Sequence, residues 1–169
     1  RLNFAENLLR RRDETDALVF WAEDQIKRRV SWRTLHEEVS KLAAALRDFG
    51  IKPGDRCAGF LPNAPEAVIA MLASTAVGAV WTSCSPDFGK QGVIDRFGQV
   101  EPKVLFACDG YIYDGKSYDS LGRIAEILGS LPTIEHTIVF PYLTTSPDIG
   151  GIANGVLWAD FVSGRAEGE

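Results

Sequence analysis

Apolar positions along this chain follow two alternating rhythms. "DALVFWAE" (Asp16–Glu23) and "KRRVSW" (Lys27–Trp32) are rich in β-branched and aromatic residues and are separated by a polar break at Asp24 and Gln25, which predicts a β-hairpin. The period then changes. Leu35, Val39, Leu42, Leu46 and Phe49 recur at helical spacing, with Ser31 or Thr34 placed to cap the start and Gly50 just past the end, so an amphipathic helix of about four turns is expected. "KPGD" (Lys52–Asp55) reads as a turn, and "RCAGFLPN" as a strand running to Leu61. A helix over Pro65–Val77 and a strand "AVWTS" from Ala79 come next. A short helix near Gly89–Val100, a breaker at Pro102 and the strand "KVLFAC" follow. The helix "LGRIAEILGSL" (Leu121–Leu131) then leads to the strand "HTIVF" (His136–Phe140).

Strand and helix therefore alternate repeatedly with short connections. That pattern requires parallel strands joined by right-handed crossovers. The expected fold is α/β: a doubly wound, mostly parallel sheet with helices on both faces, preceded by the hairpin. "VLFAC", an unbroken apolar run, suits a strand buried on both faces. No internal repeat is evident. Past Pro141, "YLTTSPDIGGIANG" is rich in Gly, Ser, Thr, Pro and Asp and reads as a loop or linker. Residues 1–140 are read as one incomplete N-terminal subdomain, and 141–169 as a loop or linker leading into further sequence. The uncharged stretch Ala67–Pro86 is close to bilayer-spanning length, but its alanines, Gly78 and Ser/Thr positions dilute it. It reads as a buried helix followed by a buried strand.

Composition narrows the function classes. A chain of 169 residues with 46% hydrophobic and 24% charged residues is globular in composition, and its formal charge of -5 argues against a nucleic-acid role, which needs clustered Lys and Arg. Arg10, Arg11 and Arg12 are followed by Asp13, Glu14 and Asp16 and read as a solvated helix end. Cys57, Cys84 and Cys108 lie far apart in apolar runs. They give neither a disulfide framework nor a zinc-ligand spacing, which fits a reduced, cytosolic setting. The opening "RLNFAENLLRRRDE" has no cleavable signal pattern.

Candidate chemistry follows from the fold class. In a parallel sheet the carboxyl ends of the strands share one edge, and ligands bind outside it. Three stretches fall there: "LPN" (Leu61–Asn63), "CSPDFG" (Cys84–Gly89) and "CDGYIYDGK" (Cys108–Lys116). Their small residues, hydroxyls, glycines and lysine suit a polar or phosphorylated cofactor, and equally suit the turns that any doubly wound domain requires. No G-x-G-x-x-G and no G-x-x-x-x-G-K-[ST] is present, so neither a dinucleotide fingerprint nor an NTP phosphate loop is signalled. His36 and His136 read as structural. Ser83 and Ser85 lack the G-x-S-x-G turn of a hydrolase nucleophile.

The order of these motifs carries a resemblance. "LNFAENLL", a hairpin, then "FGIKPGDRCAGFLPNAPEAVIAMLASTAVGAVWTSCSPDFG" and "VIDRFGQVEPKVLFACDGYIYDGK" are similar to the start of the adenylate-forming acyl-CoA synthetases. Within them, "SCSPDFG" and "DRFGQVEPKVLF" resemble the acetoacetate–CoA ligase branch, where acetyl-CoA synthetases carry a Phe-Gly-Gly-Phe-type segment. The resemblance runs from Leu2 to about Lys116 and weakens beyond.

It implies an AMP-forming acid–thiol ligase. ATP adenylates acetoacetate, pyrophosphate leaves, and the thiol of CoA displaces AMP, with Mg2+ accompanying ATP. It also implies a cytoplasmic enzyme of lipid, fatty-acid and ketone-body metabolism with small-molecule partners, and no nucleic acid or membrane span. Family members are several times longer, and their ATP-phosphate loop, adenine and ribose contacts and catalytic lysine come later in sequence. The present residues are thus expected to be inactive alone and to hold no catalytic residue and no metal. In the related acetyl-CoA synthetases, the segments aligned with Ser85, Pro86 and Asp87 and with Tyr113, Asp114, Gly115 and Lys116 lie beside the CoA nucleotide. Tyr113 replaces the arginine of an Arg-Gly-Gly-Lys segment there, which removes a bidentate phosphate partner. The alternatives are a stand-alone flavodoxin-like binding module without activity, and a ligase for another short-chain acid.

Overall fold

The computed structural model describes residues 2–23 and 27–163; the expected turn at Asp24 and Gln25 and the tail from 164 onward lie outside the described residues. A short helix α1 (Phe4–Leu8) leads to the antiparallel hairpin of β1 (Asp16–Trp21) and β2 (Lys27–Ser31). Helix α2 (Trp32–Asp48) starts where Ser31 Oγ accepts the Thr34 N–H at 3.2 Å, which settles the choice of cap. It buries Leu35, Val39, Leu42 and Leu46, the stripe that the helical spacing predicts. Phe49 falls just outside it as the C-cap.

The central sheet contains β3 (Arg56–Phe60), β4 (Val80–Cys84), β5 (Val104–Cys108), β8 (His136–Phe140) and β9 (Gly155–Leu157) in the spatial order β4-β3-β5-β8-β9, every pair parallel. The chain returns between strands through α3 (Pro65–Ala76), α4 (Lys90–Val100) and α5 (Leu121–Leu128). The period-2 alternation of β5 divides the core. Val104, Phe106 and Cys108 pack with the residues of α2 and α3, whereas Leu105 and Ala107 pack with Val93 and Phe97 of α4 and Ile124 and Ile127 of α5. Both faces are covered, as a doubly wound sheet requires, and all five residues of β5 are buried.

Two stretches depart from the sequence reading. "CDGYIYDGK" is an antiparallel hairpin of β6 (Gly110–Tyr113) and β7 (Lys116–Asp119). Its turn residues Asp114 and Gly115 have φ of 51° and 67°, the left-handed pair that an Asp-Gly hairpin turn uses. The segment beyond Pro141, read as loop or linker, forms β9 and then α6 (Trp158–Val162) near its end. Trp158 and Phe161 of α6 are buried, and Trp158 lies 5.9 Å from the ring of Phe106, so this stretch completes the core over the sheet. The Gly/Pro-rich text before β9 hid a strand of three residues.

Burial pushes the Cys57 and Cys108 thiols up, to about 11 and about 12, and Cys84 also upward. All three are free and buried. No helix among the described residues is long and apolar enough to cross a membrane.

Candidate functional site

The three stretches at the carboxyl edge meet. A cavity of about 430 Å³ is lined by Leu61, Pro62 and Asn63 after β3, by Ser85, Pro86 and Asp87 after β4, and by Tyr111, Ile112 and Tyr113 of β6. Parallel pairing of β3 with β4, in register from Arg56↔Val80 to Phe60↔Cys84, brings the first two loops side by side. The Leu61 N–H donates to the Cys84 carbonyl at 3.3 Å and continues that ladder past the strand ends.

The Ser85–Phe88 segment is a turn in which the Phe88 N–H donates to the Ser85 carbonyl at 3.1 Å. Arg123, on α5, donates to the carbonyls of Pro86 (3.1 Å) and Phe88 (3.4 Å), and Arg96 stacks on the Phe88 ring at 4.8 Å. The loop is therefore held by guanidinium groups from two helices, leaving Ser85 and Asp87 exposed and Pro86 buried. Nothing in the spacing of Arg123 and Arg96 marks this role; it follows from α4 and α5 packing on the same face.

Tyr113 reaches the cavity, while Asp114, Gly115 and Lys116 form the exposed tip of the hairpin beyond it. Tyr113 and Lys116 are the cross-strand pair that closes the turn. The Gly115 N–H donates to Glu23 Oε2 at 3.2 Å, tying the tip to the end of the first hairpin. Tyr111 and Tyr118 stack at 5.2 Å on the same ribbon.

Asp109, between β5 and β6, lies in a stretch that the sequence reading assigns to the ligand edge, and its structural role is not legible there. It is only 4% exposed, and its carboxylate accepts the backbone N–H groups of Tyr142 (2.6 Å), Leu143 (2.9 Å) and Thr144 (2.8 Å) and the Thr144 hydroxyl (2.9 Å). It clamps the end of β5 to the loop after β8. Gly110 beside it has no room for a side chain, because a Cβ would meet the Tyr118 carbonyl at 2.4 Å and Leu143 Cδ1 at 2.3 Å.

The electrostatics of the cavity are one-sided. Its lining carries the carboxylates of Glu23 and Asp87 and no basic side chain. Phosphate groups are disfavoured inside it, whereas uncharged rings and hydrogen-bonding groups fit its Tyr, Ser and Asn surface. Lys116, at the hairpin tip, is the cation near this edge that the sequence singles out. Among the described residues, no group of three or more His, Cys, Asp or Glu side chains converges on one point.

The comparisons with known proteins agree with this architecture. The family described as AMP-binding enzyme matches residues 4–150. An acetoacetyl-coenzyme A synthetase from Rhizobium meliloti (strain 1021) is 47% identical over 169 residues, which is 99% of this chain and 26% of that protein. An acetoacetyl-CoA synthetase from Macaca fascicularis is 39% identical over 96% of this chain and 25% of its own length. The solved structure of acetoacetyl-CoA synthetase from Streptomyces lividans matches with a TM-score of 0.89 and 46% identity, over 99% of this chain and 26% of that one. The chain thus spans about a quarter of the length of the relatives it matches. With the doubly wound sheet, the convergent strand-end loops and a family match over most of its length, this chain belongs to the AMP-binding enzyme family.

Proposed function

We propose that the chain is part of an acetoacetate–CoA ligase. In the first half-reaction a carboxylate oxygen of acetoacetate attacks the α-phosphorus of ATP and pyrophosphate departs, leaving the acyl-adenylate. In the second, the thiol of CoA loses its proton and attacks the acyl carbon, and AMP departs. The observation that carries this reading is the likeness, over 99% of this chain, to proteins named acetoacetyl-CoA synthetase. Mg2+ accompanies ATP outside the residues described, and the setting is the cytoplasm, in ketone-body and lipid metabolism.

Within that reaction, Ser85, Pro86, Asp87, Tyr113, Asp114, Gly115 and Lys116 form a CoA-facing edge. The acidic cavity takes an uncharged part of CoA against Tyr113, and the phosphates stay outside, within reach of Lys116. Full-length protein assayed for acid-dependent AMP formation should prefer acetoacetate to acetate and propionate; a preference for either of those replaces the substrate assignment. Lys116→Ala should raise the KM for CoA by roughly three- to tenfold, below a buried charge-assisted contact because the tip is exposed. Acetoacetate-dependent ATP–pyrophosphate exchange should be unchanged, since it needs no CoA. An unaltered KM for CoA removes Lys116 from the site.

A further inference from the structure

A second cavity, of about 370 Å³, lies between α1 and α2, away from the strand-end loops. Its floor is apolar, built from Ala5, Leu9, Val39 and Ala43, and Arg10, Arg12 and Arg47 stand around it. The volume falls in the range of roughly 300–1,000 Å³ typical of small-molecule sites.

These arginines differ from the rest of the described chain. Arg11, Arg28, Arg29 and Arg33 each pair with a carboxylate. Arg56 and Arg123 donate to backbone carbonyls, and Arg96 lies over Phe88. Among the described residues, Arg10, Arg12 and Arg47 have no such partner, and all of them line this one cavity. Among the described residues, the guanidinium groups without such a partner thus gather at one place in a chain whose formal charge is -5. Arg47 lies in the last turn of α2, where a cation complements the helix dipole, but Arg10 and Arg12 follow α1 and are placed by no helix end of their own. The sequence reading of a solvated helix end does not account for their convergence over an apolar floor.

We propose that this cavity is a ligand site for a small amphipathic anion, with a phosphate or carboxylate head on Arg10, Arg12 and Arg47 and a short aliphatic stem on Leu9, Val39 and Ala43. Guanidinium groups suit such heads through paired N–H donors. Glu6, the carboxylate of the lining, opposes binding and sets a charge threshold on the head group. The site is independent of the ligase reading, because none of its residues belongs to the strand-end edge.

The test uses full-length protein and hexyl phosphate as the probe, followed by titration calorimetry, with hexanol as the neutral control. Hexyl phosphate should bind and hexanol should not. Arg10→Ala combined with Arg12→Ala should weaken binding about tenfold or more, and both side chains are exposed, so an unchanged circular dichroism spectrum is expected. Glu6→Gln should tighten binding, an effect that a merely structural role for these residues would not produce. Asp87→Asn, at the other cavity, should leave it unaltered. Equal binding of hexanol, or hexyl phosphate affinity that survives the double substitution, overturns the proposal. A full-length structure with a carboxylate of the same chain seated on these arginines overturns it as well.

Discussion

One carboxylate joins two strand ends in this molecule. Asp109 accepts four hydrogen bonds from residues 142–144 while nearly buried, so removing it strands three backbone N–H groups at once. An orphaned buried donor costs about 1–3 kcal/mol, and water reaches some of these, so Asp109→Ala should cost about 2–4 kcal/mol locally. The expected readout is faster hydrogen exchange at Tyr142, Leu143 and Thr144 and proteolysis within 141–148, with β3 and β4 amides unaffected. Exchange unchanged at those amides would mean that the loop is held by other contacts. The sequence places Asp109 within a stretch suited to ligand binding, where an acidic residue next to glycine resembles site chemistry. Only the fold shows that its partners are backbone groups 33 to 35 residues away.

At the scale of elements, the hairpin β6–β7 carries the exposed part of the site, and its geometry rests on a turn with φ > 0 at both central positions. A β-branched residue is strained there, by roughly 1–2 kcal/mol. Gly115→Val should therefore loosen the ribbon and raise the KM for CoA, while Asp114→Gly, which keeps both conformations accessible, should leave that KM within about twofold. Equal effects from the two substitutions would show that side-chain identity matters more than turn geometry. This hairpin was legible: "IYDGKSY" is an Asp-Gly pair flanked by β-formers, yet its place after a parallel strand invites reading it as a loop. Long periodic elements such as α2 were readable because one stripe faces one partner. β9, three half-buried residues among glycines, has no period to read, and its strand character comes from pairing with β8. The loops forming the cavity followed from the strand-end rule, whereas Arg123 and Arg96 depend on how helices pack and leave no local signal.

For the whole molecule, the convergent edge is an open cavity between strand-end loops whose charged lining groups are carboxylates. No basic side chain lines its cavity, so the lining itself offers no cationic partner to a transferring phosphoryl group. The 169-residue chain alone should form no acyl-adenylate from ATP and acetoacetate; detectable AMP would place catalytic groups within it. The strand order has a further consequence, for synthesis. β3 takes β4 on one side and β5 on the other, after which β8 and β9 join the β5 side in the order in which the ribosome delivers them. Each strand finds its docking edge already made, and the N-terminal part can settle while later residues are still being translated. The same growth leaves the newest strand as an open template until its neighbour emerges. A pause in translation after β5 would expose an edge that β8 alone is shaped to cover, so codon speed between residues 109 and 135 becomes a variable of folding yield.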